Sequence, residues 1–215
     1  FSRNINSEAD CEVVNIIGTQ IILRVSQSPK SILAGINSIV TEIHPYHGVV
    51  LETNGALIQG VWGNQKTATG PLLFKMNDMH EELTPIKIDV TYRGSILVGG
   101  YCKQPEVLDA VGELNLRGLI LSSMSASLIS KALQCNFPIL LLEGFGTIPM
   151  NERAYELIKS NEGNIASLNT IYKRSNAEKP EVVIQLAVEA NPSSDNPILK
   201  KNSVVRINSG AYQGK

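Results

Sequence analysis

The sequence lacks most of the features by which a chain declares its chemistry. Cys11, Cys102 and Cys135 are its three cysteines, widely separated and without a C-x-x-C pair, which excludes a disulfide framework and a zinc knuckle. They read as reduced, buried thiols. Charge of one sign is also missing: 19 basic residues face 20 acidic ones, so no global field draws the chain to nucleic acid or anionic lipid. The longest apolar runs, such as FPILLLEGF at 137–145, fall short of the ~20 residues that cross a bilayer, so no membrane span is expected. There is no G-x-G-x-x-G after a strand, no G-x-x-x-x-G-K-[ST] and no G-x-S-x-G. The three histidines, His44, His47 and His80, all precede the second half of the chain. A general base working there would have to be Glu143 or a residue of the first half. No cofactor is expected, and the enzyme reading has no positive support.

What is present is enough apolar material for a real core, 43% of 215 residues. VVNIIGTQIILRV (13–25) reads as one or two strands, followed by the turn SQSPKS, and 1–33 is taken as an N-terminal β segment. From Ala34 to Leu73, short β-type runs alternate with Pro, Gly and Asn, the texture of a small barrel or sandwich. Asn54-Gly55 is the strongest hairpin signal, because a type I′ turn needs two residues that tolerate positive φ. The polar KMNDMHEELTP (75–85) reads as a linker, closing a module at 34–84.

Beyond it the pattern changes. IKIDV and SILVGGY read as strands, PEVLDAVGEL (105–114) as a helix opened by proline, RGLILSS (117–123) as a buried strand and MSASLISKALQ (124–134) as a helix. PILLLEGFG (138–146) is a second buried strand and PMNERAYELIKSN (149–161) a further helix. IASLNTIY and EVVIQLAVE add β segments. Alternating helices and continuously apolar strands predict a three-layer α/β domain with parallel strands at 85–190. Residues 191–215 read as a linker and the start of another β unit. The fold class is thus mixed, α+β and α/β.

Within that frame, strands 118–121 and 139–142 as parallel neighbours bring Ser122, Ser123 and Ser125 beside Glu143, Gly144, Gly146 and Thr147 at the carboxyl edge, where open α/β sheets bind ligands. Hydroxyls and free N–H groups at helix starts suit a small anion, although the negative Glu143 would repel one. The same serines also serve as N-caps and the glycines as turns. A metal on His44 and His47, with a third ligand from Glu42, Glu52 or His80, is the weaker alternative to ordinary loop histidines, since Pro45 prevents the helix that would bring the imidazoles together.

Two resemblances add to this. Residues 34–75, with Glu52-Thr53-Asn54-Gly55-Ala56, resemble the barrel-sandwich hybrid of lipoyl and biotinyl carriers. In that family the hairpin tip carries a lysine that is acylated; Gly55 stands there instead, which excludes carrier chemistry. Val205 to Lys215 is similar to the KOW motif, with its Val-x-Ile strand, Ser-Gly turn, aromatic Tyr212 and Gly-Lys pair. That resemblance implies a role for Arg206, Tyr212 and Lys215 in binding RNA or protein, with Lys200 and Lys201 the further basic groups nearby. The order of modules, with EGFG-x-I-P-M in the middle, also resembles uncharacterised bacterial proteins. The chain opens at Phe1 and stops at Lys215 inside a pattern, so a longer parent is expected. The resulting expectation is a cytoplasmic, non-catalytic adaptor or assembly protein that docks protein partners. A sensor or enzyme with a small anionic ligand, and an RNA-binding protein, are the alternatives.

Overall fold

A computed structural model describes residues 10–25, 31–45, 47–172 and 179–186. The chain divides into two compact units, 1–33 and 34–215. The KOW-like stretch lies outside the described residues.

The first unit contributes a two-stranded ribbon, β1 (Cys11–Ile17) antiparallel to β2 (Gln20–Val25). Cross-strand partners share a face and successive residues alternate. Val13, Ile16, Ile21 and Leu23 therefore form one apolar face, while Glu12 and Arg24, 3.8 Å apart, lie on the other.

In the second unit, β3 (Ile39–His44) and β4 (Gly48–Glu52) form another antiparallel ribbon. At its end the His47 N–H donates to His44 O at 3.0 Å. The Asn54-Gly55 hairpin expected from sequence does not form. Gly55 instead opens β5 (Gly55–Gln59), which pairs with β12 (Glu181–Gln185). A Cβ on Gly55 would lie 2.7 Å from the Ile184 carbonyl, so glycine serves close strand approach here and not a turn.

The remaining strands are β6 (Trp62–Gly63), β7 (Thr67–Phe74), β8 (Ile96–Gly99), β9 (Gly118–Met124), β10 (Ile139–Phe145) and β11 (Ile165–Asn169). With β5 and β12 they make one eight-stranded mixed sheet in the order β5-β12-β11-β7-β8-β9-β10-β6. Strands β7 to β10 run parallel, as the apolar runs predict, and the other pairs are antiparallel. The end strands β5 and β6 are separated in the chain only by Gly60 and Val61. Three Cα steps span at most ~11 Å, whereas the edges of a flat eight-stranded sheet stand ~34 Å apart. The sheet must therefore fold over until its edges meet.

It folds at two corners. Along β7, residues 67–71 pair with β11 and Leu72–Phe74 with β8. At the other corner, β5 and β6 pass from β12 to β10. The antiparallel half (Ile58, Ala166, Leu168, Val182, Ile184) then packs on the parallel half (Leu72, Ile96, Ile120, Leu140) around one core. The other side of the parallel half (Leu97, Leu119, Leu121, Ile139, Leu141) makes a second core with helices α1 (Pro105–Glu113) and α2 (Ile129–Gln134). A third helix, α3 (Glu152–Ser160), packs Ile158 against the first core. The layers are sheet, sheet and helices.

Several boundaries differ from expectation. The division at 84/85 falls inside a single sheet, since β5 and β7 share it with β8 to β12. The segment read as a linker is packed: Met76 and Leu83 are buried, and the Glu81 carbonyl would lie 1.8 Å from a Cβ on Gly100. IKIDV is not a strand; 3-10 turns occupy Pro85–Lys87 and Val90–Tyr92. Strand β9 continues through Met124, so the helix read from 124 begins later, after a 3-10 turn at Ala126–Leu128. The helix read from Pro149 begins at Glu152, capped by Asn151, whose side chain accepts the Arg153 N–H. Among the described residues no helix is long and apolar enough to cross a membrane.

Candidate functional site

Strands β9 and β10 are parallel neighbours, so the two carboxyl ends do meet, with Ser123 opposite Gly144 and Met124 opposite Phe145. The side chains there are engaged in holding the fold. Ser123 is buried; its hydroxyl lies 3.1 Å from Gly146 O and 2.9 Å from Ile148 O, and accepts the Ile148 N–H at 2.9 Å. It thereby fastens the loop after β10. Gly144, in β10 just after its register shift, and Gly146, in the loop beyond, hold φ of 119° and 118°, values that L side chains rarely adopt, so both are there for the path of the backbone. Ser125 precedes the 3-10 turn and sits 2.9 Å from Ser127 Oγ, and Thr147 is exposed. Ser122 is fully buried and, among the described residues, its hydroxyl has no hydrogen-bond partner. These groups are adjacent but do not converge as an anion cradle: two hydroxyls are buried and the helix behind them, α2, has six residues.

Glu143 is the exception in this group. The register of β9 against β10 slips between Leu141 and Gly144, so Leu142 and Glu143 together oppose Ser122. Such a bulge re-aims a side chain. Both residues are buried, and Glu143 Oε1 accepts the Asn151 N–H at 3.0 Å. The carboxyl lines a groove of about 500 Å³ bounded by β5, β10 and the first turns of α3, with Leu57, Gln59, Arg153 and Leu157 around it.

Two further cavities accompany it. One of about 610 Å³ lies between α1 and α2 beside Cys135 and the Asp109–Lys131 ion pair. Burial raises the Cys135 thiol above its ordinary value, the wrong direction for a nucleophile at neutral pH. The other, of about 390 Å³, is lined by Trp62 and Tyr172. The Trp62 ring meets Phe145 edge-on at 5.7 Å, which places the single tryptophan half-buried against the outer core.

Of the histidines, His44 lies 3.3 Å from Glu42 on the ribbon, and His47 Nδ1 lies 3.0 Å from Pro45 O. Among the described residues no three metal-ligating side chains come together. Arg206, Tyr212 and Lys215 lie outside the described residues. What the sequence concealed was Asn64: buried, with its amide bonded to Ala132 O and Phe137 O and its oxygen accepting the Ile139 N–H. Within WGNQK it reads as a turn residue.

No family model and no curated protein matches the chain. Among solved structures, it is similar to the solution structure of a UPF0107 protein at 14% identity and a TM-score of 0.42, covering 60% of this chain and 98% of that one. It is also similar to muramoyltetrapeptide carboxypeptidase from Oxalobacter formigenes, at 13% identity and TM-score 0.34, over 61% and 50% of the two chains. A third is S-adenosylmethionine:2-dimethylmenaquinone methyltransferase from Geobacillus kaustophilus, at 12% and 0.34, over 65% and 89%. At these values none of the three assigns an activity.

Proposed function

We propose that the chain is a non-catalytic adaptor that docks other proteins through apolar β surfaces. The observation that carries this reading is the β3–β4 ribbon. Register places Val40, Ile43, Val49 and Leu51 on one wholly apolar face, and Glu42, His44 and Glu52 with Ile39 and Val50 on the other. Ile43 is 71% exposed and Val49 52%. A two-stranded ribbon is marginal alone, and apolar patches of this kind mark sites of association. The β1–β2 ribbon carries the same pattern, with Ile16 63% exposed and Ile21 58%.

The resemblance to carrier modules fits this reading, because a barrel-sandwich is built from such ribbons packed on apolar faces. A KOW-like element after residue 202 would add a second docking module, and a cytoplasmic setting suits the three unpaired cysteines. The small-anion alternative loses ground to the engagement of Ser123 with the loop at 146–148.

The test is isolation of the native chain from its source beside the double variant Ile43→Lys, Val49→Lys, with complexes read by native mass spectrometry. A protein partner retained by the wild type and lost by the variant, with both melting alike, is the expected result. No partner, or a variant that unfolds at markedly lower temperature, would mean that the face is covered within the chain and would overturn the reading.

A further inference from the structure

We propose that the cleft at the Gly60–Gly63 corner binds a small planar aromatic carboxylate, stacked on Trp62 and Tyr172 and held by Lys179 and Gln65. This goes beyond the adaptor reading and uses a surface separate from the ribbon face.

The path of the chain sets the floor of the cleft. Here β5 and β6 pass from β12 to β10, and glycine is needed on both sides of the crossing. A Cβ on Gly60 would stand 2.5 Å from Leu140 Cδ1, and one on Gly63 would stand 2.5 Å from Thr170 Cβ. No side chain rises from either position, so bare backbone borders a space of about 390 Å³. That volume lies within the ~300–1,000 Å³ of ordinary ligand sites.

The walls are flat rings. Trp62, the single tryptophan of the sequence, belongs to β6, whose pairing with Leu141 sets its backbone. Phe145 braces its ring edge-on at 5.7 Å. Tyr172 and the Pro180 ring line the cleft with it, and Tyr172 is 47% exposed. Aromatic surface of this kind favours a planar π partner in offset or edge-on contact. A wall braced before the ligand arrives also lowers the ordering that binding must oppose.

The polar groups choose the other end of the ligand. Among the described residues that line the cleft, Lys179 alone carries a charge, and it makes no ion pair with another described residue. Gln65 adds a carboxamide in an unusual setting. Its φ is 65°, a left-handed conformation that is strained for an L side chain and that glycine adopts freely. Such outliers gather where a ligand is clamped. The Gln65 N–H donates to Thr170 O at 3.2 Å and its Oε1 accepts the Tyr172 N–H at 3.3 Å, which leaves the amide nitrogen for a ligand. The Trp62 indole N–H likewise has no partner among the described residues. An ammonium, an amide N–H and an indole N–H are donors without a matching acid. A carboxylate satisfies them, and an amine or a metal cation does not.

The experiment is calorimetric titration of the full chain with naphthoate, beside NMR of the isotope-labelled protein. A Kd of about 10–100 μM is expected for a ligand of this size. Trp62 supplies the one indole N–H of the sequence, so that resonance should shift as the site fills. Naphthamide keeps the rings and loses the charge, and should bind about tenfold more weakly. Cyclohexanecarboxylate keeps the charge and loses the aromatic face, with a similar loss of about tenfold. Lys179→Met should reproduce the naphthamide loss, and the two changes should not add. Gln65→Gly relieves the left-handed strain, so the melting temperature should hold or rise while affinity falls about fivefold. A glutamine present only for the turn would show no such split.

No saturable binding up to about 1 mM overturns the proposal, whether the cleft is closed or another part of the chain fills it. So does an indole resonance that stays in place, or an affinity that ignores both the ligand's charge and Lys179→Met. These results leave the ribbon reading standing, since the Ile43→Lys, Val49→Lys variant tests that face alone. A ribbon that proves to be covered within the chain, with naphthoate binding intact, would separate the two in the opposite sense.

Discussion

Gly60 and Val61 are consecutive in the chain, yet they bond at opposite sides of the sheet, to the strands next to its two ends: Gly60 N–H donates to Pro180 O, just before β12, and Val61 N–H to Leu141 O of β10, both at 2.8 Å. This pair closes the sheet on itself. A Cβ on Gly60 would stand 2.5 Å from Leu140 Cδ1 and 2.6 Å from the Leu141 carbonyl. The first neighbour can swing aside, but the second is backbone. Gly60→Ala should destabilise the protein by about 1–3 kcal/mol in urea unfolding, the usual range for overpacking. Gly112→Ala supplies the contrast, because it lies within α1 and its Cβ would rest 3.6 Å from Phe137. That substitution should stabilise by about 0.5–1 kcal/mol. If Gly60→Ala unfolds like the wild type, the corner is not held by close approach.

Asn64 fastens the helical layer to the sheet. Its amide donates to Ala132 O at 3.0 Å, just inside the end of α2, and to Phe137 O at 2.9 Å. Its oxygen accepts from Ile139 N–H at 2.9 Å and lies 3.1 Å from Thr170 Oγ1. Both donors of the amide and its oxygen are therefore engaged. Asn64→Ala leaves two buried carbonyls and a strand N–H without a partner, and a loss of about 2–4 kcal/mol is expected by chemical denaturation. Asn64→Asp should be worse, because a carboxylate oxygen would face the Ala132 and Phe137 carbonyls. Equal stability of the two variants would argue against this account.

How much of this was legible is best seen residue by residue. Pro105 and the spacing of Val107, Leu108 and Val111 announced α1, and the apolar runs of β9 and β10 announced parallel strands buried on both sides. Local chemistry sufficed there. Asn54-Gly55 misled because the demand on Gly55 comes from Ile184, far away in sequence, and a dipeptide does not reveal its partner strand. Met76 and Leu83 were masked by the polar residues around them, though both are buried anchors. Glu143 was placed at the right strand end, but its setting depends on a bulge that no alternation pattern contains.

Ser122 and Ser123 separate two meanings of a buried hydroxyl. Ser123 is bonded on several sides by the 146–148 loop, so Ser123→Ala should cost about 1–2 kcal/mol and loosen that loop in hydrogen exchange. Ser122 is equally buried, with no partner for its hydroxyl among the described residues. Removing an unsatisfied buried polar group is neutral or favourable, and Ser122→Ala should change stability by between zero and about +1 kcal/mol. A marked loss on Ser122→Ala would show that its hydroxyl has found a partner, and would reopen the strand-end crevice as a binding site.

Cys102 gives the stability a dependence on pH that can be assigned in sign. Burial beneath α1 chiefly pushes its thiol up to about 11, weakly opposed by its contact with Gln104 O and reinforced by the carboxylates of Glu82 and Glu106. Below the ordinary thiol value of 9.0, folded and unfolded chains both hold the proton and the group contributes no slope. Between 9.0 and about 11 the unfolded chain releases it while the folded chain retains it. The unfolded state then binds fewer protons, so stability falls as pH rises, at up to ~1.4 kcal/mol per pH unit. Urea unfolding of the wild type and of Cys102→Ala at about pH 8 and about pH 10 isolates this effect, because shared lysines and tyrosines cancel in the difference of slopes. The variant should be less stable at the lower pH, through loss of a buried side chain, and should lose less on going to the higher one. Parallel slopes would mean that the folded thiol ionises as readily as the unfolded one, and would overturn the assignment of the pH dependence to Cys102.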